Sequence, residues 1–274
     1  MLKQRVVTAV LLALAFVGAL FFAPQFIFTA FVGIIFTLGA WEWSKLAGYK
    51  AQWARWVYAL ATAALGVYLA WFLDWLQNIK LLQTILLVAG VWWAVALLWI
   101  QGYPASSIIW RSALVRTVMG WVVLIPAWLA CIFLYNHSHG AWLIVMLVVV
   151  VAAADIGAYF SGRTFGKRKL APNVSPGKTW EGVIGGLLFV LLIAFAFKFI
   201  VGLQNWQALL IVVLPAALVS VVGDLLESML KRHSGIKDSS QLLPGHGGVL
   251  DRIDGLVAAA PLFTLCLILT GWSI

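Results

Sequence analysis

The chain has 274 residues, of which 64% are hydrophobic and only 10% charged, with 16 Trp and 16 Phe. Soluble domains carry about 25% charged residues, and a chain of this size needs a wettable surface. The composition excludes a soluble enzyme, a disordered chain and a small disulfide-stapled domain, and predicts an all-α polytopic integral membrane protein. The formal net charge is +9, but the basic residues form short clusters between apolar runs without interleaved aromatics. That pattern suits topology signals and anionic head groups, so no nucleic-acid partner is expected. Cys131 and Cys266 both lie in apolar runs and offer neither metal-ligand spacing nor a disulfide framework.

A crossing helix needs about 20 apolar residues. In chain order the predicted spans are 6–23, 27–46, 57–75, 81–100, 113–135, 143–159, 183–201, 206–226 and 256–272. The first follows Lys3 and Arg5, lacks a small-residue cleavage site and runs almost directly into the second. It reads as an uncleaved helix, divided from the next at Pro24. Of the 18 basic residues, all but Lys80 and Lys198 fall at the N-terminus or in the loops after the second, fourth, sixth and eighth spans. The positive-inside rule makes those loops and the N-terminus cytoplasmic and the C-terminus external, which requires an odd count and favours about nine helices. Residues 1–140 then hold about five helices. Residues 141–274 hold the remainder, together with the cytoplasmic loops, and no separate soluble domain is expected. Neither an internal repeat nor an inverted pair of broken helices is visible.

Ionisable residues inside spans cost several kcal/mol and tend to mark function. Asp155 lies near the cytoplasmic end of the sixth span. Asp224, Glu227, Ser228 and Lys231 lie at the same end of the eighth, at offsets that share one helical face. Asp251 and Asp254 open the ninth. Because the eighth helix descends to the interface and the ninth rises from it, Asp224 and Asp251 sit at similar depth. Two carboxylates there are hard oxygen ligands suited to Mg²⁺, with phosphate oxygens completing the shell. Glu181 and Asp238, taken alone, read better as interfacial anchors paired with nearby bases.

Between the last two spans, three glycines surround His246 and let the backbone approach a ligand, its N–H groups turned toward an anion. The loop then enters a helix N-terminus, where the dipole favours phosphate. Lys231, Arg232, Lys237 and Arg252 surround it with positive charge. In the other long loop, Gly177-Lys178-Thr179 looks like the end of a P-loop, but Pro172 takes the place of the required earlier glycine and no strand is expected before it. An ATPase is excluded, while Lys178 and Thr179 remain candidate phosphate contacts. His137 and His139 read as a solvated outer turn and His233 as a solvated loop residue, which leaves His246 as the candidate histidine.

The run Ser228-x-x-Lys231-Arg232, Lys237-Asp238 and Pro244-x-His246-Gly247-Gly248-x-x-Asp251-Arg252-x-Asp254 resembles the signature of the phosphatidate cytidylyltransferase (CDP-diacylglycerol synthase) family, with its spacing intact. Ala40-Trp41-Glu42-Trp43, Asp155-Ile156-Gly157-Ala158-Tyr159, Leu170-Ala171-Pro172 and Ser175-Pro176-Gly177-Lys178-Thr179-Trp180 resemble the bacterial type. The likeness covers the full length and is strongest after residue 150. It implies that CTP and phosphatidic acid give CDP-diacylglycerol and pyrophosphate with Mg²⁺ on Asp224 and Asp251; a second, monovalent cation is sometimes inferred for the family. The catalytic set expected on this basis is Asp224, Lys231, Lys237, His246, Asp251, Arg252 and Asp254. Ser175, Lys178, Thr179, Ser228, Arg232, Asp238, Gly247 and Gly248 are the expected substrate contacts. The expected location is a bacterial cytoplasmic (inner) membrane, multi-pass, with the site facing the cytoplasm. CTP, phosphatidic acid and the bilayer are the expected partners, and the oligomeric state is open, a homodimer included.

Two rivals remain. A transporter or flippase for an anionic solute predicts charges near the midplane and access from both faces, whereas these candidates crowd one face. A CDP-alcohol phosphotransferase needs Asp-Gly-x-x-Ala-Arg, but Asp254-Gly255 is followed by Leu256-Val257-Ala258-Ala259 and the arginine is missing.

Overall fold

The computed structural model describes residues 2–73, 78–201 and 205–271, so the predicted span ends at Trp75 and Trp272 lie outside the described residues. Apolar runs become helices because a bilayer offers no water to satisfy free backbone groups. The helices are α1 (Leu2–Phe21), α2 (Gln25–Ala47), α3 (Gln52–Leu73), α4 (Ile79–Gln101), the short α5 (Ser107–Trp110), α6 (Ala113–Asn136), α7 (Gly140–Phe165), α8 (Trp180–Val201), α9 (Trp206–His233) and α10 (Leu250–Thr270). Eight of them, α2 to α4 and α6 to α10, are long and apolar enough to cross a membrane; the apolar part of α1, Val6–Phe21, is shorter. The protein is a polytopic helical membrane protein.

The chain is all-α apart from one short element. Before α8 the chain forms an antiparallel hairpin of β1 (Lys169–Ala171) and β2 (Ser175–Thr179), with Lys169 opposite Thr179 and Ala171 opposite Ser175. A strand therefore does precede Gly177-Lys178-Thr179, which itself lies on β2. The segment is extended ladder backbone rather than a loop wrapped around phosphate, so the P-loop remains excluded on different grounds. Two helices extend beyond their apolar spans, as the shared face of Asp224 to Lys231 and the position of Asp251 imply. α9 continues past Leu226 to His233, supported by i,i+4 pairs in its last turns, and α10 starts at Leu250, six residues before its span.

α6 lies in the middle of the bundle, between α2, α7 and α10. The indole N–H of Trp43 donates to the Arg116 carbonyl (2.8 Å), and the Arg116 guanidinium donates to the Leu46 carbonyl (2.7 Å), which ties α2 to the start of α6. α2 ends at Gly48, whose φ of 103° is the left-handed conformation that closes a helix terminus and that side chains disfavour. α9 and α10 cross closely at Gly223, where an added Cβ would collide with the Asp254 carbonyl and the Ala258 side chain. Small residues at such crossings let membrane helices approach backbone to backbone. That crossing brings the acidic end of α9 against the acidic start of α10. The ends of α2, α7 and α9, the hairpin and the start of α10 thus gather at one end of the bundle, linked by contacts such as Arg232 to the Val174 carbonyl and Lys45 to the Ser239 carbonyl.

Candidate active site

The sequence candidates fall into two linked groups at that end. The first lines a cavity of about 440 Å³ between α7, β2, α8 and α9, whose walls include Asp155, Tyr159, Arg163, Ser175, Lys178 and Asp224. Lys178 Nζ lies 2.6 Å from Asp224 Oδ2, with the two side chains 25% and 35% exposed. Asp224 Oδ1 accepts from the Ser228 hydroxyl at 3.2 Å, the i,i+4 partner expected from the helical face. Thr179 is buried, and its hydroxyl accepts from the Gly182 N–H (3.1 Å), capping the N-terminus of α8. Its side chain thus shapes the cavity by fixing the strand-to-helix turn.

The second group is a charged triad with a loop folded on it. Lys231 Nζ bridges Glu227 Oε2 (2.9 Å) and Asp251 Oδ1 (2.8 Å). Glu227 and Asp251 are nearly buried, and the ammonium between them offsets the desolvation both would otherwise suffer. Asp251 also accepts backbone N–H bonds from Ser239 (3.1 Å) and Gly248 (2.7 Å), both to Oδ2. Leu243 to His246 form a turn, with the His246 N–H on the Leu243 carbonyl (2.9 Å), Pro244 second and Gly245 third at φ 77°. Type II turns need that positive φ, which is why Pro-Gly stands there.

This geometry redistributes the predicted roles. The N–H groups expected to cradle phosphate already have protein acceptors: Gly248 donates to Asp251, while Val249 and Leu250 donate to the carboxylate of Glu42. Gly247 lies against Asp251 with a positive φ of 84°, in the loop rather than on the cavity wall. Lys231 is committed to two carboxylates, whereas Arg232, Lys237, Asp238 and Arg252 are exposed around the loop. His246 is half-buried, and its Nδ1 has no hydrogen-bond partner among the described residues. Asp254 faces the α9 crossing, with Oδ1 on the Gly255 N–H (2.8 Å).

Three expectations outside the main set are corrected or refined. His233 is not a free loop residue; it ends α9 and meets the buried Trp110 ring edge-on at 4.7 Å. Glu181 anchors through backbone rather than through a base, accepting from the Lys167 and Arg168 N–H groups. Among the described residues no three His, Cys, Asp or Glu side chains converge to hold a metal. A cation here would rest on one or two carboxylates with substrate oxygens, as Mg²⁺ commonly does.

Sequence reasoning missed Arg163, which lies on the cavity wall and donates to the Tyr159 hydroxyl (2.9 Å), because it was counted only as a topology signal. Glu42 was missed as a structural centre. It is an acid near the predicted cytoplasmic end of a span, and the rule that singled out Asp155 also applies to it.

A helical membrane bundle with a cavity of opposed cations and carboxylates at one end defines a membrane enzyme for phosphate-bearing substrates. The chain belongs to the cytidylyltransferase family, whose model matches residues 3–270, and is a nucleotidyltransferase. It is 50% identical to a phosphatidate cytidylyltransferase of Pseudomonas aeruginosa, over 100% of this chain and 99% of that protein. A phosphatidate cytidylyltransferase of Haemophilus influenzae is 44% identical over 96% of this chain and 98% of its own, and one of Brucella suis 34% identical over 96% and 92%.

Proposed function

We propose that this protein transfers CMP from CTP to phosphatidic acid, giving CDP-diacylglycerol and pyrophosphate. The observation that carries the reading is the Lys178–Asp224 pair on the wall of a cavity at the helix ends. It stands in a chain similar from end to end to proteins named for that reaction. A phosphate oxygen of the lipid attacks the α-phosphorus of CTP in line; the new P–O bond forms as the bond to the β-phosphate bridge breaks, and pyrophosphate leaves. The nucleophile is already anionic, so positioning and charge neutralisation carry catalysis rather than a strong base. Lys178 and Arg163 face the cavity as cations for phosphate oxygens, and Ser175 adds a hydroxyl. Exposed Lys237, Arg232 and Arg252 guide the triphosphate inward.

The donor set fits Mg²⁺ at Asp224, whose carboxylate is a third exposed and shares the cavity wall with Asp155. When bound, Mg²⁺ would neutralise charge on the phosphates. Both carboxylates already have protein partners, but Asp251 is the less available of the two predicted ligands: its side chain is 7% exposed against 35% for Asp224, and backbone N–H groups as well as Lys231 hold its oxygens. Its role in the proposal is to hold Lys231 and the loop.

We read the chain as crossing nine times with a cytoplasmic N-terminus, an external C-terminus and the site facing the cytoplasm of a bacterial inner membrane. The basic residues and the site share one end of the bundle, which lets CTP arrive from water while the acyl chains stay in lipid. The test is activity in purified protein with labelled CTP across a Mg²⁺ series. Asp224→Asn should lose activity about 10²-fold and need more Mg²⁺, whereas Asp251→Asn should lose activity with no rescue by Mg²⁺. Normal activity in Asp224→Asn at low Mg²⁺ would remove that residue from the metal site.

A further inference from the structure

Glu42 lies on α2, far in sequence from the site, and is fully buried. No Lys or Arg pairs with its carboxylate among the described residues. Instead, Oε1 accepts from the Ser240 hydroxyl and the Val249 N–H (3.0 Å), and Oε2 from the Ser239 hydroxyl (3.2 Å) and the Leu250 N–H (2.6 Å). Two of these donors open α10 and two belong to the far side of the loop. Gly248 packs so closely here that an added Cβ would collide with Ser239 and approach Glu42 Oε1 to 2.6 Å. Lys45, one turn further along α2, reaches the Ser239 carbonyl at 3.3 Å.

Arg55 acts on this carboxylate only from beyond ion-pair distance, and burying a carboxylate without a direct ion pair is costly unless hydrogen bonds and a helix dipole compensate. Here they do so only when the loop is closed. Opening the loop would strand a buried anion, so the carboxylate and the closed loop stabilise each other. Ser239 also donates its N–H to Asp251, and Leu250 immediately precedes that residue. The carboxylate therefore fixes both approaches to the Asp251–Lys231–Glu227 triad. It occupies the helix N-terminus as an internal anion, which excludes substrate phosphate from that position.

We propose that Glu42 is a positioning residue for the cytidylyl-transfer site: its carboxylate latches the 239–250 loop shut and thereby holds Asp251 and Lys231 in register. It touches no substrate. The inference rests on the proposed function for its activity readout but not for its structural readout.

The experiment compares the wild-type protein with Glu42→Gln and with the Ser239→Ala/Ser240→Ala pair, in detergent, by amide hydrogen exchange and steady-state kinetics. Glutamine keeps the shape but turns an amide NH2 toward one backbone donor, and the serine pair removes the hydroxyl half while sparing the charge. The expected result is exchange at Val249 and Leu250 faster by tenfold or more in Glu42→Gln, with α3 and α4 unchanged and kcat/KM for CTP lowered at least tenfold. The serine pair should show the same pattern more weakly, which keeps the idea testable if Glu42→Gln does not fold. Wild-type exchange in the loop overturns the latch whatever the reaction is. Faster exchange spread evenly over all helices also overturns it, because that marks a general loss of stability. Local loosening with full catalytic efficiency overturns the positioning role alone.

Discussion

Asp224 and Lys178 illustrate what single residues disclose. Each was visible in the sequence as a charge beside an apolar run, but their pairing was not, because they come from α9 and β2 and meet only in the folded chain. Removing the cation leaves Asp224 facing the cavity without its ion pair and removes a phosphate partner. Lys178→Ala should therefore lower kcat/KM for CTP by about 10²-fold in the labelled-lipid assay, with the folded yield unchanged. Asp251 was legible as important and misleading as to why: two backbone donors and Lys231 use its lone pairs. Cutting such a buried set costs about 1–3 kcal/mol per unsatisfied group. Asp251→Asn should accordingly lower thermal stability in detergent, whereas Asp224→Asn, at a side chain about a third exposed, should leave it near wild type.

Among the elements, helices were legible because a bilayer forces long apolar runs into them, and the acidic face of α9 followed from 3.6-residue periodicity. Hydropathy alone did not give the ends of α9 and α10, since it stops at the lipid boundary while the helix continues through Glu227 and Lys231; the charged face supplied them. The β1–β2 hairpin was hidden because strands this short carry little pattern and this one is held by tertiary contacts such as Arg232 on Val174. Gly223 makes the α9–α10 crossing testable. Gly223→Val would push the Asp254 backbone away, costing about 1–3 kcal/mol by overpacking and displacing the two acidic helix ends together. Loss of both stability and activity is expected, measured by heating in detergent followed by assay. Unchanged heat resistance would show that the helices do not need this approach.

For the whole molecule, the membrane class followed from composition alone, and the sorting of basic residues is the basis on which we propose a cytoplasmic site. What composition left open is the first crossing, because α1 carries a shorter apolar stretch than the other eight. A cysteine placed at Lys80, exposed at the start of α4, should react with an impermeant maleimide added outside intact cells, and one at Lys167 should not. The reverse pattern would invert the topology and move the site to the other face.

The central claim, that the cavity at the helix ends performs cytidylyl transfer to a lipid phosphate, is tested most directly by incubating the purified protein with phosphatidic acid, Mg²⁺ and CTP labelled at the α-phosphate. The account predicts labelled CDP-diacylglycerol and pyrophosphate in equal amounts from the wild-type protein and almost none from Asp224→Asn. Pyrophosphate without labelled lipid, or equal labelling by both proteins, would contradict it.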